Sequence, residues 1–255
     1  MDLALRDCVA LVTGGAKGVG AGISQALLEC GATVVACGRR APGSLPAGVE
    51  FIAADVRDEE QVRALVAGVV ERHGRLDVLV NNAGGAPFTE AATASPRLHA
   101  KVVELNLLAP LLVGQAANAV MQHQSGGGSI VMVSSVSGHR ASPGTAAYGA
   151  AKAGLDNLVA SLAVEWAPKV RVNSVVAGMV RTEQSHLHYG DDAGIAAVAA
   201  TVPLGRLAEP VDIGRCVAFL ASPLASYVSG ATLLAHGGGE VPAFLAAANV
   251  EREPQ

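Results

Sequence analysis

Seven short apolar runs, most of them rich in β-branched residues, recur along the chain, and stretches with apolar positions at helical spacing separate them. The runs are Cys8 to Thr13, Ala32 to Cys37, Val49 to Asp55, Leu76 to Asn82, Ser129 to Ser135, Val170 to Val176 and Ala231 to His236. Helical patterns fall near Gly18 to Cys30, Glu59 to His73, Leu98 to His123, Ala147 to Trp166 and Pro210 to Ala221. Strands that are apolar throughout are buried on both faces, and a helix after each strand supplies the cover. The pattern predicts an α/β fold: a doubly wound, Rossmann-type parallel sheet of about seven strands with helices on both faces. Two segments resist regular assignment, Gly84 to Pro96 and Ala177 to about Val202. Both follow strand ends, where such a sheet forms its ligand crevice.

No repeat, linker or block of like charge divides the 255 residues, so one domain is expected over 1–255. Its dinucleotide-binding half would run over about 1–135, and its catalytic and substrate-binding half over about 136–255. Hydrophobic residues make up 51% of the chain and charged ones 16%, which demands a large core or a subunit interface and excludes disorder. The formal net charge of −4, with no basic stripe, argues against a nucleic-acid partner. The longest stretch free of Lys, Arg, Asp and Glu, Leu105 to His139, is broken by Asn106, Pro110, Gln115 and the Gly126 to Gly128 turn. No membrane span is therefore expected. Cys8, Cys30, Cys37 and Cys216 show no metal spacing and read as small core residues of a reduced protein. No basic segment precedes an apolar run at the start, so a cytoplasmic location without a signal peptide is expected.

The first strand runs straight into Thr13-Gly14-Gly15-Ala16-Lys17-Gly18-Val19-Gly20 and then into a helix. Glycines there permit a tight turn that brings backbone N–H groups and a helix N-terminus against a pyrophosphate. At the end of the second strand, where a carboxylate would bind the ribose 2′-hydroxyl of NAD, the chain has Gly38-Arg39-Arg40. The missing carboxylate and an available guanidinium suit a 2′-phosphate, so NADP(H) is favoured and NAD(H) is the alternative.

Three more stretches complete the pattern: Asn81-Asn82-Ala83-Gly84, Ser134-Ser135, and Tyr148-Gly149-Ala150-Ala151-Lys152. With the glycine turn they resemble the short-chain dehydrogenase/reductase family over nearly the whole chain. Tyr148 and Lys152 stand one helical turn apart, so the ammonium is expected to lower the phenol toward neutrality and make it a proton donor and acceptor. Ser135, 13 residues before Tyr148, matches the family's catalytic serine better than Ser134, and its hydroxyl would bind the substrate oxygen.

The resemblance implies further roles. Asn106 would organise a water chain with Lys152. Asp55, in Ala54-Asp55-Val56, would hold the adenine ring. Asn82, Ala83 and Gly84 would line the cofactor, and Gly178 and Thr182 would meet the nicotinamide amide. The chain departs from the family at Ala177, where Pro is usual, and at His236-Gly237-Gly238, where Asp-Gly-Gly is common. The resemblance also implies homodimers or homotetramers built on the two long helices. The second of these is unusually apolar at Ala151, Leu155, Leu158, Val159, Leu162 and Ala163.

His186, His188 and Tyr189 in a loop make a poor metal site, and none is expected. Contact with substrate is the other reading of these residues, and His139-Arg140 could flank the substrate mouth. The expected activity is an oxidoreductase that interconverts a carbonyl and a secondary alcohol, acting on a small molecule. Its alternatives are an NAD-linked dehydrogenase of a bulky alicyclic, steroid-like or hydroxyacyl-thioester substrate, and a catalytically silent nucleotide-binding regulator.

Overall fold

The computed structural model describes residue 3 and residues 5–248. Its strands are β1 (Val9–Thr13), β2 (Thr33–Gly38), β3 (Val49–Ala53), β4 (Val78–Asn81), β5 (Gly128–Ser135), β6 (Val170–Ala177) and β7 (Thr232–Ala235). They form one parallel sheet in the order β3-β2-β1-β4-β5-β6-β7. The helices are α1 (Gly18–Glu29), α2 (Glu59–His73), α3 (Pro96–Val103), α4 (Ala109–Met121), α5 (Ala146–Glu165), α6 (Ser185–Tyr189), α7 (Asp192–Ala199), α8 (Pro210–Ala221) and α9 (Ala243–Ala247). The expected doubly wound sheet is the observed one.

The alternation of side chains along each strand sorts the interior into two cores. Leu11, Val35, Leu79, Met132 and Val172 face α2, α4 and α5, where Val62, Val113, Leu155 and Val159 meet them. Val12, Val34, Val80, Val131 and Val175 face α1 and α8, where Ile23, Leu27, Ile213 and Val217 meet them. Local chemistry sets the helix ends. The Asp58 carboxylate accepts the Gln61 N–H at 3.0 Å to start α2, and Gly74 at φ 75° ends it. Ser95 and Pro96 start α3 in the same way.

The stretch expected as one helix, Leu98 to His123, begins at Pro96 and contains a π turn over Glu104–Leu108. By length and composition this Pro96–Met121 helix reaches the measure of a membrane-crossing segment, contrary to the sequence expectation. One face of it is buried against the protein's own core, through Val102, Ala109, Val113, Ala117 and Met121. Of the two unassigned segments, Gly84 to Pro96 is irregular up to the start of α3, whereas the second carries α6 and α7. Of the four cysteines, Cys37 is buried and Cys8, Cys30 and Cys216 are half-buried.

The chain winds from β1 out to β3 and then crosses back to β4 on the other side of β1. The carboxyl ends of β1 and β4 therefore flank a topological switch point, where doubly wound folds bind their ligands.

Candidate active site

Thr13 closes this crevice at the end of β1. Its buried hydroxyl accepts the backbone N–H groups of Asn82 and Ala83, each at 2.9 Å, while Asn82 Nδ2 donates to the Thr13 carbonyl at 2.9 Å. The glycine turn is thereby fastened to the Asn82-Ala83-Gly84 stretch. Gly14 takes φ 66° and Gly18 φ 51°, a region that disfavours side chains. A Cβ at Gly20 would collide with the Gly14 carbonyl and lie 2.6 Å from Asn82 Nδ2. The cradle is shaped by the lack of side chains, and the N-terminus of α1 opens into it beside exposed Lys17 and half-buried Val19. This geometry fits a dinucleotide pyrophosphate. Thr182 and Glu183 come over the turn from the far side, within 4 Å of a Cβ built at Gly18. Thr13 was not singled out in the sequence, although its place before the first glycine was the available signal.

At the adenosine end, Arg39 and Arg40 are exposed just beyond β2. Asp55 does not stand free, because Arg57 grips both its oxygens, Nε to Oδ1 at 2.9 Å and Nη2 to Oδ2 at 2.6 Å. The Arg57 clamp holds the Asp55 carboxyl below its ordinary range, and the Arg39 charge acts in the same direction. Val56 is buried beside it. Arg57 is a second residue that sequence reasoning passed over.

The four candidate catalytic residues meet at the ends of β4 and β5. Ser135 ends β5, and its hydroxyl, which accepts the Ser137 N–H at 3.2 Å, acts on the Tyr148 phenol of α5 in the direction that favours its ionised form. Ser134 turns the other way, to Asp156 on the buried side of α5, so Ser135 is the serine that faces the phenol. Lys152, one turn below Tyr148, is buried; its Nζ lies 5.6 Å from the Tyr148 ring centre and donates to the Val133 carbonyl at 2.7 Å. Burial pushes the ammonium down to about 8, and the neighbouring Asp156 charge partly opposes this.

The expectation for Tyr148 is corrected. Burial pushes its phenol upward and Ser135 offsets only part of that, so the phenol lies above its ordinary range. A site that penalises charge penalises phenolate as it penalises ammonium. Asn106 sits in the π turn with Oδ1 accepting the Gly85 N–H at 2.8 Å, and with Nδ2 donating to Gly85 O at 2.9 Å and Val102 O at 2.8 Å. A Cβ at Gly84 would lie 2.7 Å from Asn106 Oδ1 and 3.5 Å from Lys152 Nζ, so both side chains border one space kept open by glycine.

A sequence model of the family described as Enoyl-(Acyl carrier protein) reductase matches residues 14–240. An uncharacterised oxidoreductase of Methylorubrum extorquens is 40% identical, covering 92% of this chain and 98% of its own. The cis-4-hydroxycyclohexanecarboxylate dehydrogenase of Sinomonas cyclohexanicum is 38% identical, over 93% of this chain and 98% of its own.

The chain belongs to the short-chain dehydrogenase/reductase family. As such it is an NAD(P)-dependent oxidoreductase acting on alcohols or carbonyls. Among solved structures, the ligand-free aldohexose dehydrogenase of Thermoplasma acidophilum superposes with a TM-score of 0.88 at 28% identity over 100% of both chains.

Around this short-chain dehydrogenase/reductase core, the remaining segments converge on the carboxyl edge of the sheet. The Gly84 to Pro96 loop is fastened to the loop before α5, with Thr89 N donating to Gly144 O at 2.7 Å and the Phe88 ring against Gly144. Arg140 and Glu240, 100 residues apart in sequence, form a 2.6 Å ion pair whose charges both act on Tyr189. His186 and His188 lie on the short helix α6, and no metal-binding cluster occurs among the described residues. Half-exposed His139 places its Nε2 2.9 Å from Asp156 Oδ2. A Cβ at Gly178 would lie 2.7 Å from the backbone Cα of His236, so only glycine fits there.

Proposed function

We propose that the protein interconverts a carbonyl and a secondary alcohol with NADP(H), using Tyr148 as the general acid and base. The observation that carries this reading is Tyr148 on α5 one turn from a buried Lys152, whose Nζ lies 5.6 Å from the ring centre, with the Ser135 hydroxyl acting on the phenol. The nicotinamide, when bound, supplies or accepts the hydride. In reduction Tyr148 gives its phenolic proton to the substrate oxygen, and Ser135 donates a hydrogen bond to the same oxygen as charge develops. Lys152 favours the phenolate left behind and holds the cofactor ribose. Asn106, bordering the same space at Gly84, organises the water that carries the proton to solvent.

Gly14, Lys17, Gly18, Val19 and Gly20 hold the pyrophosphate, Arg39 the 2′-phosphate, and Asp55 and Val56 the adenine. Asn82, Ala83 and Gly84 floor the cofactor cleft, and Gly178 and Thr182 receive the nicotinamide amide. The dinucleotide-binding half is thus about 1–135, and the catalytic and substrate-binding half, about 136–255, adds Lys152, Gly178 and Thr182 to the cofactor. We place the protein in the cytoplasm as a homodimer or homotetramer. The names of its relatives make cis-4-hydroxycyclohexanecarboxylate and aldohexoses the first compounds for a substrate panel.

Tyr148→Phe tests the reading, because it removes the transferred proton and little else. Turnover on a substrate found in the panel should fall by ~10²-fold or more, with NADPH binding retained. A loss below about tenfold overturns the assignment.

A further inference from the structure

Asp156 follows Lys152 by one helical turn, as Lys152 follows Tyr148, so the three make one stripe along α5. Its side chain is only 11% exposed and lies among apolar core residues such as Leu155 and Val159. A buried carboxylate is costly unless donors satisfy it. Here three do, from three different segments: Ser134 Oγ of β5 at 2.8 Å on Oδ2, Ser174 Oγ of β6 at 2.8 Å on Oδ1, and His139 Nε2 at 2.9 Å on Oδ2. An apolar residue would pack at this position without any of them. The arrangement therefore maintains a negative charge at a chosen place.

That carboxylate lies one turn from Lys152, whose Nζ donates to the neutral Val133 carbonyl. The elements packed on α5 offer Lys152 little else. β5 and β6 face it with neutral Ser134 and Ser174, and the π turn with neutral Asn106. Glu104 of that turn acts on Arg57, and the charges of α3 leave Lys152 unaffected. On α5 itself the other titratable neighbour is Tyr148, and beyond Asp156 stands half-exposed His139.

We infer that Asp156 is a positioning residue for the reaction: its fixed carboxylate keeps Lys152 in the charged form that the Tyr148 proton transfer uses. This rests on the proposed roles of Tyr148 and Lys152. Burial alone drives the ammonium toward losing its proton, and Asp156 is the one charge opposing it.

Asp156→Asn keeps the shape and removes the charge. In the reduction direction, the alkaline limb of the kcat profile should move to lower pH by roughly 0.5–1 unit, a ~3- to 10-fold loss of turnover near pH 9 and much less near pH 7. Asp156→Ser, small enough to admit water, should move it the same way and serves where the Asn variant does not fold. Ser174→Ala removes one donor and leaves the charge, so its limb should stay in place. A neutral variant that lowers kcat equally at all pH values, or not at all, overturns the inference. So does a Ser174→Ala limb displaced as far as that of Asp156→Asn. Tyr148→Phe run alongside separates the failures: if it stays active, the proposed mechanism fails, whereas an inactive Tyr148→Phe with an unmoved Asp156→Asn limb removes only the role of Asp156.

Discussion

The Thr13 side chain caps Asn82: one hydroxyl accepts the Asn82 N–H and the Ala83 N–H at 2.9 Å each, tying the end of β1 to the loop after β4 across the switch point. Parallel neighbours part at their carboxyl ends, which frees the N–H groups beyond the last ladder bond. Thr13→Val is isosteric and strands both donors in a buried position. The variant should lose about 1–3 kcal/mol of stability and bind NADPH more weakly, because the cradle floor loosens with the fastening. Chemical denaturation and cofactor fluorescence check it, and an unchanged midpoint with unchanged affinity would refute the role.

The proposed preference for NADP(H) turns on Arg39, exposed at the end of β2 in the stretch Gly38-Arg39-Arg40, which carries no carboxylate. Arg39→Ala should weaken NADPH by roughly 10- to 150-fold, the worth of a charge-assisted contact, and leave NADH nearly unchanged. Paired titrations measure this directly. Wild-type protein that binds NADH more tightly than NADPH contradicts the assignment.

The limits of helices α2 and α8 were legible in the sequence because their ends carry chemistry of their own: Asp58 and Gly74 for one, Pro210 for the other. The π turn was not, since Glu104-Leu105-Asn106-Leu107-Leu108 has the spacing of an ordinary buried helix and its extra residue per turn leaves no mark in composition. Helices α6 and α7 are short and polar, so periodicity could not separate them from loop. The candidates Tyr148, Lys152 and Ser135 could be singled out because fixed spacing marks them. Asp156 has no such spacing to its partners: Ser134, Ser174 and His139 come from separate segments, and only the fold joins them.

The argument for self-association changes with the structure. Ala151, Leu155, Val159, Leu162 and Ala163, taken as excess apolar surface, are buried in the chain's own core, and Leu158 is half-buried. Helix α5 is covered by the sheet on one side and by α3 and the π turn on another. The large apolar side chains that remain outward on the long helices are Leu108, 53% exposed, and Val164, 81% exposed. A dimer through these helices would cover both, so light scattering at micromolar concentration should give twice or four times 25.6 kDa. Leu108→Asp with Val164→Asp should shift the mass toward the monomer, and wild type at 25.6 kDa ends the proposal.

Lys152 should also cost the fold stability. Its ammonium is buried and held at about 8, far below an exposed lysine, so the native state binds fewer protons than the unfolded chain between about pH 8 and the unfolded value of ~10.4. Stability therefore rises with pH across that window, and below it the buried charge carries its full cost, roughly 3 kcal/mol. Lys152→Met removes the charge, but it also removes the donor to Val133 O, which is worth about 1 kcal/mol. The variant should be inactive and yet more stable than wild type at pH 7 by about 1–2 kcal/mol, with the advantage shrinking as pH rises from 8 toward 10. Tyr148 runs the opposite way: its raised phenol keeps its proton where the unfolded chain loses it, so wild-type stability falls above about pH 10. Urea unfolding at pH 7 and pH 9.5 decides the matter. A Lys152→Met variant less stable than wild type at pH 7, or an advantage that grows with pH, would show that the lysine is not a buried charge held against its solvation cost.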